Sequence, residues 1–341
     1  MHEIVYFYPA GHEAHAEYGH PERPERVEAI KSNFKDAGLW EPYPKLEPVE
    51  LADDVLHKVH EPGYLERLQN AIEAGQRHID ADTYLTPESW QLALNAAGGA
   101  AAVAMAVWSG EAKRGFALPR PPGHHATPNR AMGFCLLNND AIAAQAILSA
   151  GAERVAIVDF DIHHGNGTQD IFWERADVLF ISTHQYPLYP GTGLLNEAGS
   201  GAGKGTTVNL PLPPYSGDTA LMACMQEIMI PQLERYQPEM LLITAGFDAH
   251  WRDPLGHLLA SADGFGKIMS MLTKWADDNC QGRIAMMLAG GYDVEAGAVS
   301  ALAATQSMLG AEWQDPIGSS QIAEEDHWRD MLEQAHQIWK V

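Results

Sequence analysis

The chain has few cysteines. Of its 341 residues only three are cysteine, Cys135, Cys224 and Cys280, and they lie far apart in the sequence. A disulfide framework or a zinc site built from thiolates needs more cysteines at closer spacing. The sequence therefore predicts a protein of a reducing compartment, and we expect the cytoplasm.

Positive charge is also scarce. Lysine and arginine together number 22, against 45 aspartate and glutamate residues, which gives a formal net charge of -23. Nucleic acid is held mainly by basic side chains, so this balance argues against a nucleic-acid partner. A cationic substrate would be attracted instead.

Long hydrophobic runs are missing as well. The N-terminal segment MHEIVYFYPAGHE has no basic start followed by the apolar core of a secretion signal. The most apolar helix-like stretch, residues 96–108, is rich in alanine and shorter than the roughly 20 residues that cross a bilayer. We therefore expect no membrane association.

What the chain does contain is a series of short apolar runs separated by segments of helix length. Strands that alternate with helices predict an α/β fold with a mostly parallel sheet and helices on both faces. No repeat or linker rich in Pro, Gly or Ser divides the chain, so we expect a single domain over residues 1–341. The predicted strands are 4–8, 116–118, 155–158, 178–182, 241–244 and 284–288. The predicted helices begin near Pro24 and continue with 53–74 (interrupted at Pro62), 87–108, 139–149, 218–236, 264–279, 294–309 and 323–340.

Each of the last five runs is followed directly by reactive or glycine-rich sequence. These segments are, in order, PRPPGHHA, DIHHGNG, THQYPLYPGTG, AGFDAHWRDPLG and AGGYD. In open α/β sheets, ligands bind outside the carboxyl ends of the strands. The five segments therefore predict one pocket built from distant parts of the chain.

The stretch VAIVDFDIHHGNGTQ at 155–169 predicts a metal site at a strand end. In an extended segment Asp159, Asp161 and His163 would project to one side. Asp161 and His163 could supply two metal ligands and Asp248 a third, which leaves the open position of a catalytic zinc. Because the set is rich in oxygen, Fe(II), Co(II) or Mn(II) could replace zinc. An isolated Asp-x-His would more simply be a polar strand end facing solvent.

Candidate acid–base groups follow the run at 116–118. His124 and His125 lie in a turn made rigid by prolines, and histidine titrates near neutrality. Adjacent histidines alone would equally suit a structural role. Asp159 could fix the tautomer of one, and Asn166 could orient the other.

Tyr292, in AGGYD, is a candidate oxyanion donor. Two preceding glycines permit an unusual backbone close to a ligand. A phenol there could donate a hydrogen bond to a tetrahedral intermediate. An ordinary half-buried tyrosine is the simpler interpretation of any single tyrosine.

Together these motifs resemble the zinc-dependent histone deacetylase family, which includes acetylpolyamine amidohydrolases and acetoin-utilisation proteins. HPERPER, RPPGHHA, GFCLLNN, VDFDIHHGNGTQ, PGTG, AGFDA with DPLG, and GGY occur in the family's order over nearly the whole chain. HHGNGTQ and GFDA…DPLG are more similar to the class II branch, which includes bacterial enzymes. The resemblance implies the arginase/deacetylase α/β fold, with a parallel sheet of about eight strands.

The resemblance also implies a role for each catalytic motif. Tyr292 would donate to the oxyanion, and His125 would be the general base and acid. His124, backed by Asp159, would tune the electrostatics. Asn166 matches a position at which class I enzymes have an aspartate. Class II enzymes have an asparagine there, as this chain does. The implied metal ligands are Asp161, His163 and Asp248.

A tunnel for the acyl-lysine side chain is implied in the same way. Phe134 and Tyr189 match its two aromatic walls, although phenylalanine is more usual at the second position. Gly133 matches a position that lines the tunnel, and Leu255 matches its mouth. Asp82 matches a rim acid that grips the substrate backbone.

Two further sites are implied by the resemblance. Arg26 matches the residue at an internal channel by which acetate leaves. A structural K⁺ or Na⁺ site would lie beside the metal, with main-chain oxygens contributing. Its matching residues are Asp159, Asp161, His163 and Ser182.

The leading hypothesis is hydrolysis of an N-acyl amine, either an acylated lysine peptide or a small acylated amine. An arginase-like ureohydrolase would need Asp-x-His-x-Asp, and the third position here is Gly165. A non-catalytic acyl-lysine binder would be expected to lack a ligand, a histidine or the tyrosine, and all are present. The net charge favours acetylpolyamines, but Leu255 offers a cation no partner and favours peptides. The sequence leaves open whether the chain forms a homo-oligomer.

Overall fold

A sheet of eight strands, all paired in parallel, runs through the centre of the computed structural model, which describes residues 1–340. The strand order is β2-β1-β3-β8-β7-β4-β5-β6. The strands are β1 His2–Phe7, β2 Lys45–Leu46, β3 Ala112–Ala117, β4 Val155–Asp159, β5 Val178–Gln185, β6 Thr207–Leu212, β7 Met240–Ala245 and β8 Ile284–Leu288.

Helices cover both faces of this sheet. On β4, Val155 and Ile157 pack into one hydrophobic layer, whereas Ala156 and Val158 pack into the other. Successive side chains of a strand point to opposite faces, so a strand covered on both sides is apolar throughout. The predicted fold class and the eight strands implied by the resemblance are thereby confirmed.

Eleven α-helices flank the sheet within the described residues. Those packed on the first layer include α3, α4 and α5, and those on the second include α1, α9, α10 and α11. The helices are α1 Glu25–Asp36, α2 Asp53–His57, α3 Pro62–Glu73, α4 Ser89–Trp108, α5 Asn139–Ser149, α6 Asn166–Phe172, α7 Asp218–Cys224, α8 Ile230–Tyr236, α9 Ala262–Asn279, α10 Val294–Met308 and α11 Trp328–Trp339.

Two strands lay outside the sequence-based prediction. β2 has only two residues, too few to show a pattern. β6, with the sequence TVNLPL, includes Asn209 and Pro211, which interrupt an apolar run. It lies at the edge of the sheet, where a proline is tolerated because no further strand needs its N–H group.

The helix predicted over 218–236 is also divided. A π-helical segment, Met225–Met229, separates α7 from α8. Pro231 at the start of α8 has no N–H group to donate to the preceding turn, so the regular hydrogen-bond ladder cannot continue through it.

Helix α4 is longer than the apolar stretch identified in the sequence. Its 20 residues are long and apolar enough to cross a bilayer, which corrects the expectation that this stretch is too short. However, 72% of its most apolar window is buried inside the fold. A core helix meets the same criteria, so α4 is only weak evidence for a membrane span.

Candidate active site

The candidate site lies where five neighbouring strands end. β3, β8, β7, β4 and β5 are adjacent in the sheet. Their carboxyl ends lead directly into the five reactive segments. The sheet therefore brings together the histidine pair, the acidic ligands and Tyr292.

The segment after β4 is held by its own aspartates. Asp159 is the last residue of β4, and its Oδ1 accepts a hydrogen bond from the Asp161 N–H group (3.0 Å). Asp161 Oδ1 in turn accepts from the His163 N–H group (2.9 Å). Such i to i+2 bonds form turns. Strand β4 ends at Asp159, so Asp161 and His163 belong to the loop that follows it.

Asp161, His163 and Asp248 form a buried group whose ligand atoms all lie within 4.8 Å of one another. His163 Nδ1 lies 3.1 Å from Asp161 Oδ1 and 3.1 Å from Asp248 Oδ2. Asp248 comes from the loop after β7, and its Oδ1 accepts from the Ile162 N–H group (2.9 Å). Gly290 N–H donates to Asp161 Oδ2 (2.7 Å). Backbone N–H groups from the loops after β4 and β8 thus orient the two carboxylates.

The charges of this group favour a cation at its centre. Burial alone would lower the pKa of His163, but the carboxylates of Asp161 and Asp248 raise it to about 10. Burial and the charge of Asp161 raise the pKa of Asp248 to about 7. Two carboxylates and one imidazole that leave a coordination position open suit a divalent metal. The residues therefore fit the metal that the resemblance implies.

A second group, His12, Glu13 and Glu28, also brings three ligand atoms within 4.8 Å. Glu13 is exposed, and His12 Nε2 already lies 3.1 Å from the Tyr8 hydroxyl. His12 is buried, but both of its carboxylate neighbours are accessible to solvent, so this group is less enclosed than the buried set of Asp161, His163 and Asp248.

The two adjacent histidines have different partners. His124 Nδ1 lies 3.0 Å from Asp159 Oδ2, and His125 Nδ1 lies 2.8 Å from Asn166 Oδ1. An amide oxygen can only accept, so His125 carries its proton on Nδ1 and its Nε2 is left as a base.

The charges around the two histidines also differ, and they shift the two pKa values in opposite directions. Burial and the neighbouring His124 and His163 hold the pKa of His125 well below its usual range. Burial alone would lower the pKa of His124 too, but Asp161 and Asp159 raise it to about 9. His125 is therefore neutral and lies beside a cationic His124. Of the two, His125 is the one that can accept a proton.

A narrow cavity of about 210 Å³ connects these groups to the surface. Its lining includes all five residues that the resemblance implies for the tunnel: Asp82, Gly133, Phe134, Tyr189 and Leu255. It also includes Leu188, which the sequence analysis did not predict. The only signal for Leu188 was its position beside Tyr189 in YPLYPG. The cavity is lined by Asp82, His125, Gly133, Phe134, His163, Leu188, Tyr189, Leu255 and Tyr292.

Aromatic rings line this cavity. The Tyr189 ring lies 5.1 Å from His125, and the Phe134 ring lies 5.8 Å from Tyr292, both nearly perpendicular. Gly133 has φ +56°, and a side chain there would collide with His125. Asp82 lies half-buried beside Thr83, whose hydroxyl accepts from the Phe134 N–H group (3.2 Å).

Tyr292 lies at the base of the cavity with its ring against a guanidinium. Arg26 is buried, 4.7 Å from the centre of the Tyr292 ring. Its Nε donates to the Gly291 carbonyl (2.7 Å), and its Nη2 donates to the Ala289 carbonyl. Burial raises the pKa of the Tyr292 phenol well above its usual range, so the phenol remains a donor.

Ser182 lies on β5 directly opposite Asp159 of β4. Its hydroxyl lies 2.9 Å from His184 Nδ1, and all three residues are buried. Of the residues expected at the monovalent-cation site, Asp159 and Ser182 are therefore paired on adjacent strands, and Asp161 and His163 follow in the loop after β4.

Comparison with known proteins shows that the chain is similar to deacetylases in sequence and in fold. The profile of the Histone deacetylase domain family matches residues 20–308. A probable deacetylase of Archaeoglobus fulgidus is 43% identical over 81% of this chain and 77% of its own length. A histone deacetylase-like amidohydrolase of Pseudomonas aeruginosa is 39% identical over 80% of this chain and 73% of its own. The crystal structure of the HDA15 HD domain superposes with a TM-score of 0.90 at 34% identity, covering 99% of this chain and 96% of that one.

Proposed function

The chain belongs to the histone deacetylase family and is a metal-dependent deacetylase of the amidohydrolase type; we propose that it removes acetyl groups from lysine side chains of peptides. One observation carries the catalytic part of this proposal. The neutral His125, the ligand His163 and the phenol of Tyr292 all line one narrow cavity.

We propose that Asp161, His163 and Asp248 hold the metal, with zinc as the first choice and Fe(II) or Co(II) as alternatives. When bound, such a metal polarises a carbonyl and lowers the pKa of water. His125 would accept a proton at Nε2 from the water that adds to the acyl carbon, and would return that proton to the amine nitrogen as the C–N bond breaks. Tyr292 donates its phenolic hydrogen to the developing oxyanion.

His124 and Asp159 contribute to this chemistry through their charges. His124 is held as a cation by Asp159 and Asp161, so its charge favours the negative charge that develops on the substrate. Asn166 is neutral and orients His125 through its amide oxygen.

The shape of the cavity suits an acylated lysine. Its aromatic walls, Phe134 and Tyr189, match an unbranched aliphatic side chain. At the mouth, Leu255 provides contact with a peptide flank but no partner for the internal ammonium of a polyamine. Asp82, at the rim, is proposed to accept from the substrate backbone. Local groups should outweigh the overall charge of -23, which is screened beyond about 8 Å at physiological salt.

A substrate comparison tests this proposal. We expect acetyl-lysine peptides to be cleaved with higher kcat/KM than acetylspermidine or acetylputrescine, and Leu255→Glu to shift the ratio toward the polyamines. Leu194→Glu, at an exposed leucine outside the cavity lining, is the matched control and should leave the ratio unchanged. A tenfold preference of the wild-type enzyme for acetylpolyamines would refute the peptide assignment.

Further proposals concern the surroundings of the site. Arg26, buried against Tyr292, would line the exit for acetate. Ser182, with Asp159, Asp161 and His163, would contribute to a K⁺ or Na⁺ site. The acidic composition supports an enzyme without a nucleic-acid partner, and the few cysteines support a cytoplasmic location. The burial of α4 supports the absence of a membrane partner, and self-association into a homo-oligomer is open to measurement by light scattering.

The two alternative functions are not favoured. A ureohydrolase would need a further ligand at position 165, where any side chain would collide with the Asp159 carboxylate. A non-catalytic binder would not need a metal group, a neutral histidine and a tyrosine in one cavity.

A further inference from the structure

The loop that carries Tyr292 is held through its backbone on several sides. Arg26 binds the carbonyl groups of Ala289 and Gly291, and Asp161 binds the Gly290 N–H group. The next two N–H groups, of Tyr292 and Asp293, both donate to one oxygen of Asp253, at 2.6 and 3.1 Å. Asp253 thus anchors the backbone at the tyrosine itself.

The other oxygen of Asp253 reaches a different part of the cavity. Asp253 Oδ1 accepts from the Leu255 N–H group at 3.0 Å. Leu255 and Tyr292 both line the cavity, whereas Asp253 does not. A single carboxylate therefore joins the segment at the cavity mouth to the loop that carries the phenol.

This carboxylate is well placed to hold both segments firmly. Asp253 is only 6% exposed, so its hydrogen bonds face little competition from water. The two segments are also tied by Arg252, whose Nε donates to Asp293 Oδ2 at 3.1 Å. Backbone N–H groups that donate to a carboxylate form stronger bonds than neutral pairs do.

We propose that Asp253 is a positioning residue that sets the placement of the Tyr292 phenol and couples it to the cavity mouth. This inference rests on the proposed function, in which Tyr292 donates to the oxyanion. A displacement of about 1 Å in a catalytic group can lower the rate roughly a hundredfold, even when the substituted residue touches no substrate. The carboxylate acts only through Tyr292, so its effect should depend on the phenol.

A double-mutant cycle tests that dependence. We expect Asp253→Ala to lower kcat by about tenfold to a hundredfold, with KM changed by less than about threefold and metal content unchanged. In a Tyr292→Phe background the same substitution should change kcat by less than about threefold, because the donor is already missing. An equal loss of kcat in both backgrounds would show a merely structural role and overturn the proposal.

Glu324→Ala is the matched control. Like Asp253, Glu324 accepts three backbone N–H bonds, from Gly217 (2.9 Å), Thr219 (3.1 Å) and Ala220 (2.8 Å), and it does not line the cavity. Its substitution should lower Tm but leave kcat within about twofold of the wild-type value. If Glu324→Ala lost as much kcat as Asp253→Ala, the effect of Asp253→Ala would be due to general destabilisation.

Two further outcomes separate this inference from the proposed function. If Tyr292→Phe loses activity while Asp253→Ala keeps full kcat, the positioning role is wrong and the proposed function stands. If Tyr292→Phe keeps full kcat, the catalytic role of the phenol and the positioning role that depends on it are both wrong. Should Asp253→Ala fail to fold, the isosteric Asp253→Asn, which retains one acceptor oxygen, takes its place in the cycle with a smaller expected loss of kcat.

Discussion

His125 and His124 are equally buried, yet their neighbours give them opposite charge preferences. His125 faces an amide and two other imidazoles, whereas His124 faces two carboxylates. A neutral imidazole can accept a proton, and a cationic one can only donate or stabilise charge. At the scale of single residues, the roles are therefore set by partners rather than by residue type.

This difference predicts unequal effects of substitution. His125→Ala should reduce kcat more than His124→Ala, by roughly a further tenfold or more, because His125 takes part in both proton transfers. Steady-state kinetics with an acetyl-lysine peptide would measure both variants. A larger loss in His124→Ala would exchange the two roles.

Tyr292 provides a second test at this scale. Tyr292→Phe removes only the hydroxyl, so we expect kcat to fall roughly a hundredfold or more while substrate binding changes little. Tyr64→Phe is a suitable control, because it removes another buried hydroxyl, bonded to the Leu136 carbonyl and outside the cavity lining. Near-normal turnover of Tyr292→Phe would mean that its phenol is structural.

Among the elements, the loop between β3 and α5 depends on a histidine from another segment. His60, which lies between α2 and α3, is 2.9 Å from the Thr127 carbonyl through Nδ1 and accepts from the Asn138 N–H group through Nε2 (2.9 Å). Asn138 is also the N-cap of α5. Because Nε2 must accept, His60 is neutral in the folded protein. It ties Thr127, in the middle of the loop that carries His124 and His125, to Asn138 at the end of that loop.

The neutrality of His60 predicts a loss of stability in acid. Burial lowers its pKa to about 4, below the unfolded value of about 6.5. The unfolded chain therefore binds more protons between these values, and stability is lost as pH falls from about 6.5 to about 4. The loss from this group at pH 5 is about 2 kcal/mol.

Denaturant unfolding at pH 7 and pH 5 would measure this loss. His60→Gln, which can still donate and accept, should show a smaller fall in unfolding free energy between the two pH values than the wild type. His57→Gln, at an exposed histidine of α2, serves as the control. If the unfolding free energy of His60→Gln fell between pH 7 and pH 5 as much as that of the wild type, His60 would not be the source of the acid sensitivity.

At the scale of the whole molecule, the candidate metal ligands connect two adjacent interior strands of the sheet. Asp161 and His163 follow β4, and Asp248 follows the adjacent β7. A metal that binds this assembled set but not the separated ligands of the unfolded chain must stabilise the fold.

Removal of the metal should therefore affect both activity and stability. We expect a strong chelator to abolish activity and lower Tm, and zinc or cobalt to restore both. Asp248→Ala should bind less metal by elemental analysis and show little rise of Tm on zinc addition. Full activity of a verified metal-free preparation would refute metal dependence.

Local sequence was enough to predict most elements and most candidate residues of the site. The predicted helix 139–149 has the same bounds as α5, and the predicted strand 284–288 has those of β8. Apolar periodicity and capping are carried by residues adjacent in the chain, so they can be read without the fold. Ligand chemistry is likewise a property of residue type, which is why Asp161, His163 and Asp248 could be selected from their motifs.

Only the tertiary structure decided which of these parts meet. The order β3-β8-β7-β4-β5 places the Asp248 loop beside the end of β4, although more than 80 residues separate them in the sequence. Edge strand β6, the burial of α4 and the bonds of Asp253 to the Tyr292 loop likewise depend on distant partners. Such contacts arise from packing between elements, which local propensity does not encode. The candidate residues and their common pocket could therefore be predicted from sequence, but these contacts between distant segments could not.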